Sequence, residues 1–178
     1  GAITNIRGNL VVRESDIQSS QVIEGSFRKG GDIYTLGGNL DIQNVVFKAS
    51  QYSSFPGNNQ DSYGGAVFIG KDNRPDRDDR DLDHNIVNSV WRGYSGASDG
   101  GALYAEEPTT FRNVLFEGNV ANNKGGAIYI DGCEAEIINC TITSNTALDA
   151  DGGGGIYITD ADDGVTIINS IIWDNDCS

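Results

Sequence analysis

The chain has 178 residues, 24 of them Gly, with three Cys, one His and no Met. Twelve Lys and Arg stand against 26 Asp and Glu, a formal charge of −14. A surface of that sign repels nucleic-acid phosphates and anionic membranes. No apolar run approaches the roughly 18 residues of a helical membrane span, and no secretory leader is recognisable, so no membrane insertion of this segment is expected. An opening of Gly1-Ala2-Ile3 without an initiator Met is expected of a processed product or an excised segment. The length fits one domain, residues 1–178, and the composition fits a secreted, extracellular or cell-surface protein.

In chain order, two short phrases alternate. A weak copy of the first sits at Glu14-Ser-Asp-Ile17, followed by Gly30-Gly-Asp32-Ile33-Tyr34, a degenerate copy of the second. Then come Asn44-Val-Val-Phe47, Gly64-Gly-Ala-Val67-Phe68-Ile69 and, after a charged insertion at about 70–85, Asn88-Ser-Val-Trp91. The second half is more regular. It reads Gly100-Gly-Ala-Leu103-Tyr104-Ala105, Asn113-Val-Leu-Phe116-Glu-Gly-Asn119, Gly125-Gly-Ala127-Ile128-Tyr129-Ile130, Asn139-Cys-Thr-Ile142-Thr-Ser-Asn145, Gly154-Gly-Ile156-Tyr157-Ile158 and Asn169-Ser-Ile-Ile172-Trp-Asp-Asn175.

Repetition of this kind means that no unit buries its own apolar face; units must stack. The apolar anchors at 17, 47, 91, 116, 142 and 172 are as little as 25 and 26 residues apart. Short β-rich runs punctuated by Gly, Asn, Asp and Ser are strand-and-turn chemistry. Three short strands and three turns fill such a repeat, which predicts an all-β parallel β-helix, a solenoid of about six coils with loops inserted at corners. Asn suits a corner because it tolerates the left-handed conformation and its amide can bond the same amide one coil away. Strand parity predicts a core of Val67, Ile69, Leu103, Ile128, Ile130, Ile156 and Ile158 with Phe47, Trp91, Phe116, Ile142 and Ile172.

The glycine pair followed by Ala-Ile/Val/Leu, alternating with Phe-x-x-Asn, resembles the repeat pair of chlamydial polymorphic outer membrane proteins and related right-handed β-helix surface proteins of the autotransporter type. The resemblance spans about residues 30–175 and implies a right-handed coil and a surface-displayed passenger. Two positions depart from the phrase: Asp32 stands where Ala is usual, and Tyr94 stands where the second Asn is expected.

The same parity puts Tyr34, Phe68, Tyr104, Tyr129 and Tyr157 outward in register, one ring per coil, flanked by Ala shoulders. Such a row is either a self-stabilising stack or a binding strip for a glycan or a host or neighbouring-cell protein. The charged insertion is expected to be solvated, with His84 in it. Asp149, Asp151, Asp160 and Asp162 are weak calcium candidates that complete no known loop signature, so calcium is the one conceivable cofactor and otherwise none is expected. Cys133 and Cys140, about 20 Å apart on an extended strand, are beyond disulfide reach, and Cys140 is expected to be a small core-side residue. No nucleophile elbow, zinc spacing or phosphate cradle is present. The expected function is a non-catalytic structural or adhesive module that binds a partner or self-assembles with further copies. A β-helix polysaccharide lyase or glycoside hydrolase is the alternative. A flat ice-binding array fails because only Thr141-Ile-Thr143 has the Thr-x-Thr form.

Overall fold

The computed structural model describes residues 2–18, 28–49, 62–73, 82–161 and 164–178. Most of the charged insertion, residues 74–81, lies outside them, as does Asp162. All strand pairs are parallel, and each sheet skips along the sequence, so the chain walks one three-sided path repeatedly. Sheet A runs Ile3–Ile6, Ile33–Leu36, Val67–Gly70, Leu103–Ala105, Ile128–Asp131 and Ile156–Thr159. Sheet C also has six strands, from Arg28–Lys29 to Asp176–Cys177. Sheet B lies between them. Its first two strands, Leu10–Gln18 and Leu40–Lys48, are long, and each later coil is split in two by a bend, as in Thr109–Arg112 and Leu115–Glu117. The result is a parallel β-helix of six coils, as the spacing predicts.

The first Asn of each phrase makes the bend. Asn44, Asn88, Asn113, Asn139 and Asn169 have φ of 49–55°, and Glu14 of the weak copy has 47°. Few residues besides Gly enter this left-handed region without strain, and Asn is one of them. These side chains are exposed; Asn113 Nδ2 donates to Asn88 Oδ1 at 3.0 Å. The amide ladder proper is built by the second Asn instead. Asn119 and Asn145 are fully buried. Asn145 Oδ1 accepts from the backbone N–H and Nδ2 of Asn119 (2.9 and 3.0 Å), and Asn175 Oδ1 accepts from Asn145 in the same way (3.1 and 2.9 Å). The two jobs expected of one residue are therefore divided between the two ends of the phrase.

The glycine pair forms another corner for two separate reasons. The first Gly, such as Gly100 at φ 64°, turns the chain. The second has no room: a Cβ on Gly101 would lie 2.0 Å from the carbonyl oxygen of Gly126 in the next coil. The alanine after the pair turns inward here, so Ala66, Ala102 and Ala127 are core residues rather than shoulders beside the rings. Parity fails because each strand begins one residue later, at Val67, Leu103 and Ile128.

Phe47, Trp91, Phe116 and Ile142 stack in register inside sheet B, all fully buried. Ring centroids are 4.1 Å apart for Phe47–Trp91 and 5.4 Å for Trp91–Phe116. Val67, Ile69, Leu103, Ile128 and Ile130 are likewise buried. Ile158 and Ile172 keep the inward register but are 43% and 47% exposed, and Ile156 is half-buried. They belong to the sixth coil, which among the described strands pairs on one side only. His84, expected in solvent, begins the strand His84–Val87 and is buried in the column of Thr109 and Ala135. The three cysteines are free; Cys140 is buried at the core-side place that Ser170 takes one coil on, as expected.

The two departures from the repeat are one feature. Asp32 and Tyr94 are both buried, and the Tyr94 hydroxyl donates to Asp32 Oδ2 at 2.6 Å. An Ala-to-acid change in one coil is matched by an Asn-to-Tyr change in the next. Burial and the Asp32 charge push the Tyr94 phenol far above its ordinary pKa.

Two predictions follow from these contacts. Asp32→Ala and Tyr94→Phe should each destabilise by about 1–3 kcal/mol, and the double variant by clearly less than the sum, measured by urea denaturation as a double-mutant cycle. Asn145→Ala, which removes the Oδ1 that accepts from the backbone N–H and the side chain of the buried Asn119, should cost about 2–3 kcal/mol; Asn139→Gly, at an exposed left-handed corner, should be close to neutral in the same assay.

Candidate functional site

The outer face of sheet A carries the ring column in the expected register: Tyr34 pairs with Phe68, Phe68 with Tyr104, Tyr104 with Tyr129 and Tyr129 with Tyr157. Successive centroids are 5.6, 5.5, 4.7 and 5.1 Å apart, the first three pairs stacked and the last tilted by 33°. Exposure is uneven. Phe68 is fully buried and Tyr104 is 6% exposed, whereas Tyr34, Tyr129 and Tyr157 are half-buried. The surface open to a partner is thus the two ends of the stack, not its whole length.

A second column, not foreseen from the sequence, decides what covers the rings. Lys29, Tyr63, Asp99 and Lys124 each directly precede a glycine pair and lie in register in sheet C. Around the glycine corner they come to lie beside sheet A. Lys29 Nζ sits 4.2 Å from the Phe68 ring centroid and 3.9 Å from Glu106 Oε1. The Tyr63 ring meets Tyr104 edge-on at 4.9 Å. Lys124 Nζ lies 4.6 Å from the Tyr157 centroid and donates to its hydroxyl at 3.0 Å. The hydrogen bond to Tyr157 leads the effects that raise the Lys124 pKa. The signal was available: the position before Gly-Gly recurs as often as the pair itself.

Two residues beyond each ring is a third column, acidic in coils four and five as Glu106 and Asp131. The Tyr104 hydroxyl donates to Asp131 Oδ2, one coil on. Burial, then this bond and the Asp131 charge, drive the Tyr104 phenol well above its usual pKa. Tyr129 is raised to about 12, by burial first and then by the charges of Asp131, Asp99, Tyr157 and Asp160. Asp99 is raised to about 6 by burial, against the opposing pull of the Lys124 backbone N–H and ammonium. A concavity of about 270 Å³ beside the stack is lined by Lys71, Asn73, Glu106, Asp131 and Gly132. A second, of about 250 Å³, lies on the outside of sheet B among Asp83, Thr110, Glu134, Glu136 and Thr166.

The described calcium candidates sit in two separate turns. Asp149 Oδ1 accepts the Asp151 backbone N–H at 3.0 Å, closing a turn on itself. Asp160 is an exposed left-handed corner residue whose Oδ2 accepts from Thr159 Oγ1 at 3.2 Å. Among the described residues no three His, Cys, Asp or Glu side chains are grouped to hold a metal ion. Burial raises the Cys133 thiol to about 12, which removes thiolate reactivity at ordinary pH.

Six stacked parallel coils with an Asn ladder define a β-helix solenoid, and the comparisons place it further. Residues 76–178 match the family described as the right-handed β-helix region, and the chain belongs to that family. Its hand is right, as the resemblance implies. The chain is 35% identical over 86 residues to the probable autotransporter YfaL of Escherichia coli (strain K12), a match covering 44% of this chain and 7% of that protein. The chain thus spans a small fraction of the length of this curated relative. No solved structure matches it.

Asp99 yields a pH prediction. Its ordinary value is 3.8 and its folded value about 6, so the fold binds this proton more tightly than the unfolded chain does. That contribution is present in full below about pH 4 and is lost as pH rises through about 6. Asp99→Asn, which still accepts the Lys124 N–H, should therefore melt at a higher temperature than the parent near pH 7.5 and at the same temperature near pH 3.5.

Proposed function

We propose that the chain is a non-catalytic module of a secreted or surface-displayed protein, a stretch of solenoid that presents the outer face of sheet A to a partner. The observation that carries this reading is the ring stack: a row of aromatic side chains, half-buried and partly open to solvent at its ends, on a strongly acidic and otherwise repetitive surface. The autotransporter named above is the support for surface display, and this chain would form a passenger segment of a comparable protein. The buried ionisable groups also favour a scaffold role. Asp32, Tyr94 and Tyr104 are engaged in bonds that tie coil to coil, which is a structural use of a perturbed group rather than a reactive one.

Two measurements test it. Incubation with a panel of acidic and neutral polysaccharides should release no new reducing ends or unsaturated products; turnover of any of them would replace this reading with the lyase or hydrolase. Binding to immobilised cell-surface material should be lost in the Tyr129→Ser/Tyr157→Ser double variant while the β-sheet circular dichroism is kept. Those two rings are chosen because, unlike Phe68 and Tyr104, they are partly open to solvent.

A further inference from the structure

We propose that the open face of the sixth coil docks the first coil of a second copy of this chain, so that copies add head to tail in one continuous parallel register. This contact is separate from the partner face of sheet A, which lies along the side of the solenoid rather than at its ends.

Among the described strands, those of coil six pair only with coil five, and those of coil one only with coil two. Each end therefore offers backbone N–H and C=O groups to a further parallel strand. The interior columns decide which side chains then meet. Ile156 ends the column that Ile3 begins. Ile167 ends the column of Val12. Ile172 ends the column of Ile17. A first coil added in the same register sets each of these pairs together. Ile167 and Ile172 are 43% and 47% exposed, and Ile156, Ile3 and Ile17 are half-buried, so both ends hold apolar area to bury. The polar exception is Asn5, which would meet Ile158; its amide already donates to the Gly8 carbonyl and Thr35 Oγ1 inside its own chain.

Charge selects a second copy as the occupant and fixes its direction. After Lys124 the sequence has no Lys or Arg, and coil six carries Asp160, Asp174 and Asp176. The described residues of coil one carry Arg7, Arg13, Arg28 and Lys29 against Glu14 and Asp16. The formal charge of −14 thus hides a basic head and an acidic tail, which attract head to tail and repel tail to tail. One corner brings the two signs together. Arg7 and Asp160 stand two residues beyond Asn5 and Ile158, which share a column, and both are left-handed, with φ of 62° and 50°. Arg7 binds Asp72 through Nε with half of its side chain still open to solvent, and Asp160 is exposed. In the joined register the two corners lie one coil spacing apart, about 4.8 Å. The chain already ties its own successive coils on the outside in this manner, through Arg13–Asp41 and Arg92–Glu117 at 2.6 Å and Arg112–Glu136 at 3.0 Å. Each added copy leaves the same two ends open, so the contact does not close and a filament grows.

Analytical ultracentrifugation of the whole chain over a range of concentrations, at about 0.15 M salt where long-range repulsion is largely screened, tests the proposal. The parent should form species that lengthen with concentration. Ile172→Glu should abolish them while the circular dichroism stays that of the folded parent. Asp160→Arg should weaken association about fivefold or more, although it lowers the net charge. Glu134→Arg, the same charge change at an exposed residue on the side of the solenoid, should not weaken it. Register is read by cross-linking in a Cys177→Ser background, which removes the exposed native thiol. Ile6→Cys with Thr159→Cys, opposite each other in the joined register, should give a ladder of disulfide-linked oligomers on oxidation; Val11→Cys with Thr159→Cys should not. Oligomers that persist in a folded Ile172→Glu, equal effects of Asp160→Arg and Glu134→Arg, or equal cross-linking of the two cysteine pairs would overturn end-to-end docking. A dimer that grows no further would overturn it in favour of a closed lateral contact, and a parent that stays monomeric would overturn it and leave the face to a strand of another protein.

Discussion

The parallel hydrogen-bond register between neighbouring coils positions everything else in this molecule. Side chains alternate along a strand, so a slip of one residue would turn Ile128 and Ile130 outward and send the ring of Tyr129 into the core. Backbone hydrogen bonds alone resist such a slip poorly, because a strand shifted by one step can still pair. The glycine and asparagine columns supply the missing specificity. Gly101 leaves no room for a side chain where the Gly126 carbonyl approaches it, and the buried amide of Asn119 donates to Asn145 Oδ1 one coil on and to the Trp91 carbonyl one coil back. Both contacts are short and directional, and both fail together under a shift.

With that register in place, the outer face of sheet A is a consequence rather than an addition. The rings stack because the coils do, and the residues before the glycine pairs reach them because the corner turns at the same place in each repeat. What varies from coil to coil is the identity of the covering residue. The interior of sheet A stays apolar from coil to coil, while the covering column changes from Lys to Tyr to Asp to Lys.

The repeat phrases made the fold legible, because a parallel β-helix writes its period directly into the chain: the left-handed bend of sheet B falls in each coil on the Asn, or its Glu14 substitute, that the phrases pick out. What stayed hidden involves positions where strand parity does not apply. Ala127 sits in the corner, so counting outward from Ile128 assigns it the wrong side. His84 belongs to a strand whose start is masked, in the sequence, by the charge density before it. Ile158 and Ile172 face inward as expected, yet burial also depends on a neighbour above, which no alternation within one strand can report. The ring column was visible and its unequal exposure was not, since the latter comes from sheet C side chains reaching around a corner. Trp91 brings a buried indole N–H that has no hydrogen-bond partner among the described residues, where Phe47 and Phe116 carry no such group.

The replacement of one ladder amide by Tyr94 divides the molecule into two kinds of cohesion. From Asn119 onward, coils are stitched by side-chain amides that donate and accept in one direction and polarise one another. At Tyr94 only a backbone N–H reaches Asn119 Oδ1, and the side chain leaves the column to meet Asp32. A solenoid held by nearest-neighbour contacts opens in segments whose limits fall where those contacts change character. Tyr94 is such a limit. The coils after it are then expected to open as one block and those before it as another, with the amide protons of the Asn119–Asn145 block exchanging as a group at a rate of their own.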